Sequence, residues 1–192
     1  MAVSIVPLRG GPNSPPFSSA RLEAIWEQLV AEGKVEDVFY SGGVASPAEF
    51  LHFVANPASS ILVGIEAEST SIRGLAWLTN VHDGSAFLHY CTLGGFRRAV
   101  ARALLAHLES LRQADGRPTL DRLLGITPEV NAAALRMLKV MGFTTLGTIP
   151  GYCRLASRGG RCGGVISYYE LRPGSSVLSA AARCGPATLS PP

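Results

Sequence analysis

Apolar residues along this chain switch between two spacings. Helical spacing recurs at Leu22, Ile25, Trp26, Leu29 and Val30, again at Val100, Leu104, Leu105, Leu108 and Leu111, and again at Val130, Ala134, Met137, Leu138 and Met141. Between these stripes lie short apolar runs bounded by turn residues: Ala2 to Leu8, Ser60 to Glu66, Ile72 to Thr79, Ala86 to Leu93, Leu120 to Ile126, Phe143 to Ile149 and Val165 to Leu171. Each reads as a strand. Helix boundaries follow from capping chemistry. Ser18 or Ser19 opens a helix to Ala31 that Gly33 ends, and Ser46-Pro47 opens a short one that Asn56-Pro57 stops. Arg97 to Gln113 reads as a long helix. Thr127 with Pro128 reads as the cap and first turn of a last one, which ends at Gly142.

The connections refine this picture. The polar turn Glu68 to Ser71 makes its flanking strands an antiparallel hairpin, and Asp83-Gly84 marks the next reversal. In Ala86 to Leu93 both alternating sets, Phe87/His89/Cys91 and Leu88/Tyr90, are largely apolar, so this strand is expected to be central and covered on both faces. Val38 to Gly43 reads as a loop or edge strand, Arg158 to Gly164 as a Gly/Arg-rich hairpin loop, and Pro173 to Pro192 as a mobile tail. The sum is one mixed α/β domain over residues 1–172, built around a twisted sheet.

Composition narrows the function classes. At 192 residues and 47% apolar the chain is long enough to bury a sizeable core. A net charge of +3 with scattered arginines argues against a nucleic-acid binder, although Arg97, Arg98, Arg158 and Arg161 would be the residues of such a reading. No apolar stretch is long enough to span a bilayer, and Met1 to Gly11 lacks the layout of a secretory signal. Cys91, Cys153, Cys162 and Cys184 lack metal-ligand spacing, so reduced thiols, a cytoplasmic location and no metal are expected; ligation by Cys153 and Cys162 across the Gly-rich loop is the other reading, which no paired His supports.

The segment Tyr90-Cys91-Thr92-Leu93-Gly94-Gly95-Phe96-Arg97-Arg98-Ala99-Val100-Ala101 joins a central strand to a helix through two glycines. The first amides of a helix are unpaired and its dipole is positive there, so this layout suits a diphosphate, with Arg97 and Arg98 adding charge. An ordinary strand-to-helix turn with solvated arginines is the other reading. For a general base, His89 has an imidazole of suitable pKa, against the alternative of a core histidine. Glu66 and Glu68 are carboxylates beside a turn, against the alternative of solvated hairpin residues. Cys91 reads as a buried thiol.

Downstream, Asn131-x-x-Ala134 followed by Gly142-Phe143 and Leu146-Gly147-Thr148-Ile149-Pro150-Gly151-Tyr152 resembles the C-terminal half of the GNAT superfamily of acyl-CoA N-acyltransferases. The resemblance implies a single domain with a mixed, mostly antiparallel sheet of six to seven strands and about four helices. It implies acetyl-CoA as cosubstrate, a small-molecule or peptide amine as acceptor, and a homodimer in many members. In the family motif Gln/Arg-x-x-Gly-x-Gly/Ala, Phe96, Ala99 and Ala101 stand at the three defined positions, and only Ala101 matches. The implied cofactor contacts are Cys91, Thr92, Leu93, Phe96, Arg97, Arg98, Ala99, Val100, Ala101 and Asn131, with main-chain groups of Cys91 and Leu93 on the pantetheine arm. The tyrosine that many members carry near the thiolate is Leu138 here, leaving Tyr90, Tyr152 or water as the acid. A CoA-binding interaction module without turnover is therefore the alternative to an active N-acetyltransferase.

Overall fold

A computed structural model describes residues 2–8, 17–57, 60–95, 97–157 and 159–171, and for residue 97 the backbone alone. In chain order the elements are β1 (Val3–Pro7), α1 (Ser19–Ala31), α2 (Val35–Val38), α3 (Pro47–Ala55), β2 (Ser60–Glu66), β3 (Ile72–His82), β4 (Ser85–Thr92), α4 (Arg97–Ser110), β5 (Arg122–Pro128), α5 (Ala132–Met141), β6 (Thr144–Leu155) and β7 (Gly160–Glu170). The strands form one seven-stranded sheet in the order β1-β2-β3-β4-β5-β7-β6. Neighbours are antiparallel except β4 and β5, which run parallel. β4 is the central strand, as its two apolar faces predict.

The sheet is covered on both sides except at the edge strand β6, which is exposed along most of its length. On β3, Leu75 and Trp77 join Ile25, Leu29, Phe39 and Phe50 in one core with α1 to α3. Ala76 and Leu78 join Leu104, Leu105, Leu108, Leu123 and Leu138 in the other, with α4 and α5. The alternation along one strand thus feeds two cores. α4 lies close against the sheet because Gly64 and Gly74 leave room for Val100. A Cβ built on Gly74 would fall 2.5 Å from Val100 Cγ1.

Several boundaries differ from the sequence reading. Thr127 and Pro128 end β5 and do not open α5. The cap of α5 is Asn131, whose Oδ1 accepts the Ala134 N–H at 3.0 Å. Glu129 N–H donates to Gly163 O, so the β5–β7 alternation points the nitrogen of Pro128 away from β7, and its missing N–H breaks no ladder bond. α4 stops at Ser110 because Arg112 turns to bridge Pro118. α2 replaces the expected loop start, and β7 begins at Gly160 inside the expected hairpin loop. Val30 and Val130, placed on buried stripes by spacing, are 53% and 49% exposed, Val30 because it sits at the rim of its helix face and Val130 because it precedes α5, which starts at Ala132. The tail from residue 173 lies outside the described residues.

Candidate functional site

β4 and β5 pair over three positions only: Ser85 with Arg122, Ala86 with Leu123 and Phe87 with Leu124. Both strands then continue, β4 to Thr92 and β5 to Pro128, while β5 stays paired with β7 along its length. The sheet therefore splays beyond Phe87 and Leu124. A cleft of about 140 Å³ fills the opening. Its walls come from β4 (Leu88 to Thr92), β5 (Gly125 to Pro128), α5 (Asn131, Ala134, Leu138) and the α1–α2 region (Lys34, Asp37, Tyr40). The helices that follow the two strands start beside this mouth. The crevice at the carboxyl ends of adjacent parallel strands is where open sheets usually take ligands.

The register decides which main-chain groups face the opening. Leu93 N–H donates to Arg73 O at 2.9 Å. Alternation along the unbroken β3–β4 ladder from Gly74/Thr92 to Thr79/Phe87 then turns the amides and carbonyls of Cys91 and Leu93 toward β3. Those of Tyr90 and Thr92 face the gap, whereas the Leu88 N–H is taken up by the last β4–β5 pair, Phe87 with Leu124. The expectation for Cys91 and Leu93 is corrected: their backbone groups are used by the sheet, and the free edge belongs to their neighbours.

Sequence-selected side chains divide in the same way. Cys91 is buried, and that burial pushes its thiol up to about 12, so it is no nucleophile. Val100 and Ala101 are core residues that hold α4 on the sheet, leaving only their backbone for a ligand. Arg98 is exposed and Ala99 half-buried. Phe96 and the side chain of Arg97 lie outside the described residues. Gly94 and Gly95 both take positive φ, 61° and 76°. The Gly94 N–H donates to both carboxylate oxygens of Glu32, at 3.0 and 3.1 Å, so this turn already holds an anion. Glu32 was not selected from the sequence, because it lies 62 positions away from its partner.

His89 lies on the cleft wall. Its ring stacks on Trp77 at 5.1 Å and its Nε2 is 3.2 Å from Thr79 Oγ1. Burial lowers its pKa, which keeps it neutral near physiological pH. Tyr90 and Tyr40 also line the cleft. Desolvation raises the phenol of Tyr90 and pushes that of Tyr40 up to about 12, so both stay protonated. Leu138 is buried on the α5 wall, and Tyr152 is exposed and not on the wall. Tyr40 had no motif around it and was not selected from the sequence.

Glu66 does not belong to this cleft. It is buried at the end of β2, where hydrogen bonds from Ser69 and then Arg73 hold its carboxyl below the usual range. Arg73 Nη2 lies 2.8 Å from Glu66 Oε2, and its Nη1 lies against Gly94. Glu66 therefore positions an arginine beneath the β4–α4 turn. Glu68 is exposed in the turn between β2 and β3.

No protein-family model matches the sequence, and no curated protein does. Solved structures do match the fold. A spermidine N-acetyltransferase from Vibrio cholerae, in complex with CoA and spermine, superposes with a TM-score of 0.64 at 15% identity over 88% of this chain and 95% of its own. An acetyl transferase from Salmonella typhimurium that modifies the N-terminal serine of ribosomal protein L7/L12 gives 0.68 at 11% identity over 90% and 96%. RimJ from Mycobacterium smegmatis, in complex with CoA-disulfide, gives 0.62 at 16% identity over 81% and 80%. At such identities the likeness carries the fold: the chain has the GNAT fold that the Asn131 to Phe143 unit resembles.

Proposed function

We propose that this protein is an acyl-CoA-dependent N-acyltransferase that uses acetyl-CoA and an amine acceptor. The observation that carries the reading is the opening of the sheet between β4 and β5 with a helix N-terminus beside each strand end. An extended amide-bearing arm fits such an edge, because Tyr90 and Thr92, beyond the last β4–β5 pair, offer main-chain donors and acceptors with no strand partner. A diphosphate fits the turn before α4, where the Gly94 amide already binds the Glu32 carboxylate. The fold it shares with CoA-bound acetyltransferases supports the same reading.

Acyl-CoA, when bound, supplies an activated thioester. The acceptor must attack as a free amine, so a proton has to leave it. His89, neutral and on the cleft wall, takes that proton directly or through water. Gap-facing amides of β4 stabilise charge developing on the carbonyl oxygen. Tyr90 or Tyr40, both protonated, can return a proton to the departing sulfur in place of the residue that Leu138 cannot supply. The N–C bond forms as the C–S bond breaks, and the products are an amide and a free thiol.

Free-thiol release from acetyl-CoA, followed with polyamines, small primary amines and peptides bearing free N-termini, tests the reading. Turnover above the hydrolysis blank is expected with at least one class. Leu138 favours a second reading, a CoA-binding module without turnover. Binding of CoA together with a blank result across the whole acceptor panel would favour it.

A further inference from the structure

We propose that Cys153 and Cys162 form a reversible dithiol–disulfide site, whose reactants are small organic disulfides such as glutathione disulfide. The two residues are directly opposite each other on the antiparallel strands β6 and β7. Opposed Cα atoms in such a ladder lie about 4.5 or 5.5 Å apart, and both spacings fall within the roughly 4.4–6.8 Å that a disulfide spans. Both thiols are free. Cys153 is 1% exposed, whereas Cys162 is half-buried and within reach of solvent. The exposed partner is the entry point and the enclosed one the resolving thiol.

The chemistry balances without a metal or cofactor. The Cys162 thiolate attacks one sulfur of the organic disulfide, forming a mixed disulfide and expelling one thiolate, which takes up a proton. Cys153, deprotonated, then attacks the Cys162 sulfur and expels the second. The net change is two cysteine thiols and one disulfide giving one protein disulfide and two small thiols. Cys153 also neighbours Tyr40, which lines the cleft. Oxidation replaces that thiol with a disulfide sulfur, so the state of the pair reaches the cleft wall. This inference stands on strand register and is independent of the acyl-transfer reading.

The test is peptide mapping by mass spectrometry of the full chain treated with glutathione disulfide under native conditions. The expected product is a Cys153–Cys162 crosslink that dithiothreitol reverses. Cys153→Ser is expected to stall with glutathione retained on Cys162. A wild-type chain that keeps glutathione on Cys162 beside a free Cys153, links Cys162 to Cys184, or leaves both thiols unreacted while Cys184 reacts would overturn the proposal. Mapping of the wild type decides the matter even where the variant folds poorly.

Discussion

His89 illustrates how a residue type becomes a candidate only through its surroundings. The sequence offered an imidazole on a central strand, and the fold adds the Trp77 stack, the Thr79 hydroxyl and a position on the cleft wall. Because burial lowers its pKa, its basic form persists below the ordinary imidazole value of about 6.5. The acid limb of kcat/KM is therefore expected below that value. His89→Gln should remove the limb and lower kcat by about 10²- to 10⁴-fold. A pH–rate profile checks both outcomes, and an unchanged limb in the variant would assign it to another group. Glu32 gives an opposite effect. Its carboxylate adds negative charge where a diphosphate is proposed to sit, so Glu32→Gln should tighten CoA binding by about two- to fivefold, the worth of one exposed charge at a helix start. Calorimetric titration of variant and wild type measures the change, and weaker binding would mean that the carboxylate organises the turn. Glu66 was misread at this scale: a carboxylate after a strand looks the same in sequence whether it faces solvent or is locked against Arg73.

At the scale of elements, the strands and helices that were legible are those with both a period and a stop signal. Ser18 and Ser46 cap α1 and α3 as their spacing predicts, and Gly142 ends α5 at φ 89°. The start of α5 was not legible, because proline suits the first turn of a helix and also the end of a strand whose N–H has no partner. Only the gap beside Pro128 separates the two. Asn131→Ala should cost about 1 kcal/mol through the lost cap, read as a shift in the urea midpoint at constant slope. Such a variant should also loosen the α5 wall of the cleft. Gly74→Ala should cost about 1–3 kcal/mol by overpacking against Val100, since the added methyl meets Val100 Cγ1 and, at 3.1 Å, Cys91 O. A thermal melt of that variant at or above the wild-type midpoint would show that α4 can shift without loss.

For the whole molecule, the sheet and its two covered faces follow from strands that are apolar on both sides, with helices at the right intervals. The splay does not follow from any local pattern. It arises because only Ser85 to Phe87 pair with β5, and nothing in those side chains differs from the unpaired residues beyond them. The direct opposition of Cys153 and Cys162 likewise depends on the register of β6 against β7. Position within the fold, more than residue type, defines the site. Amide hydrogen exchange at β4, with and without acetyl-CoA, tests this most directly. Exchange at Tyr90 and Thr92 should slow on addition of acetyl-CoA, while Leu93, already bonded to Arg73, should change little. Unchanged exchange at Tyr90 and Thr92 under saturating acetyl-CoA would contradict the account.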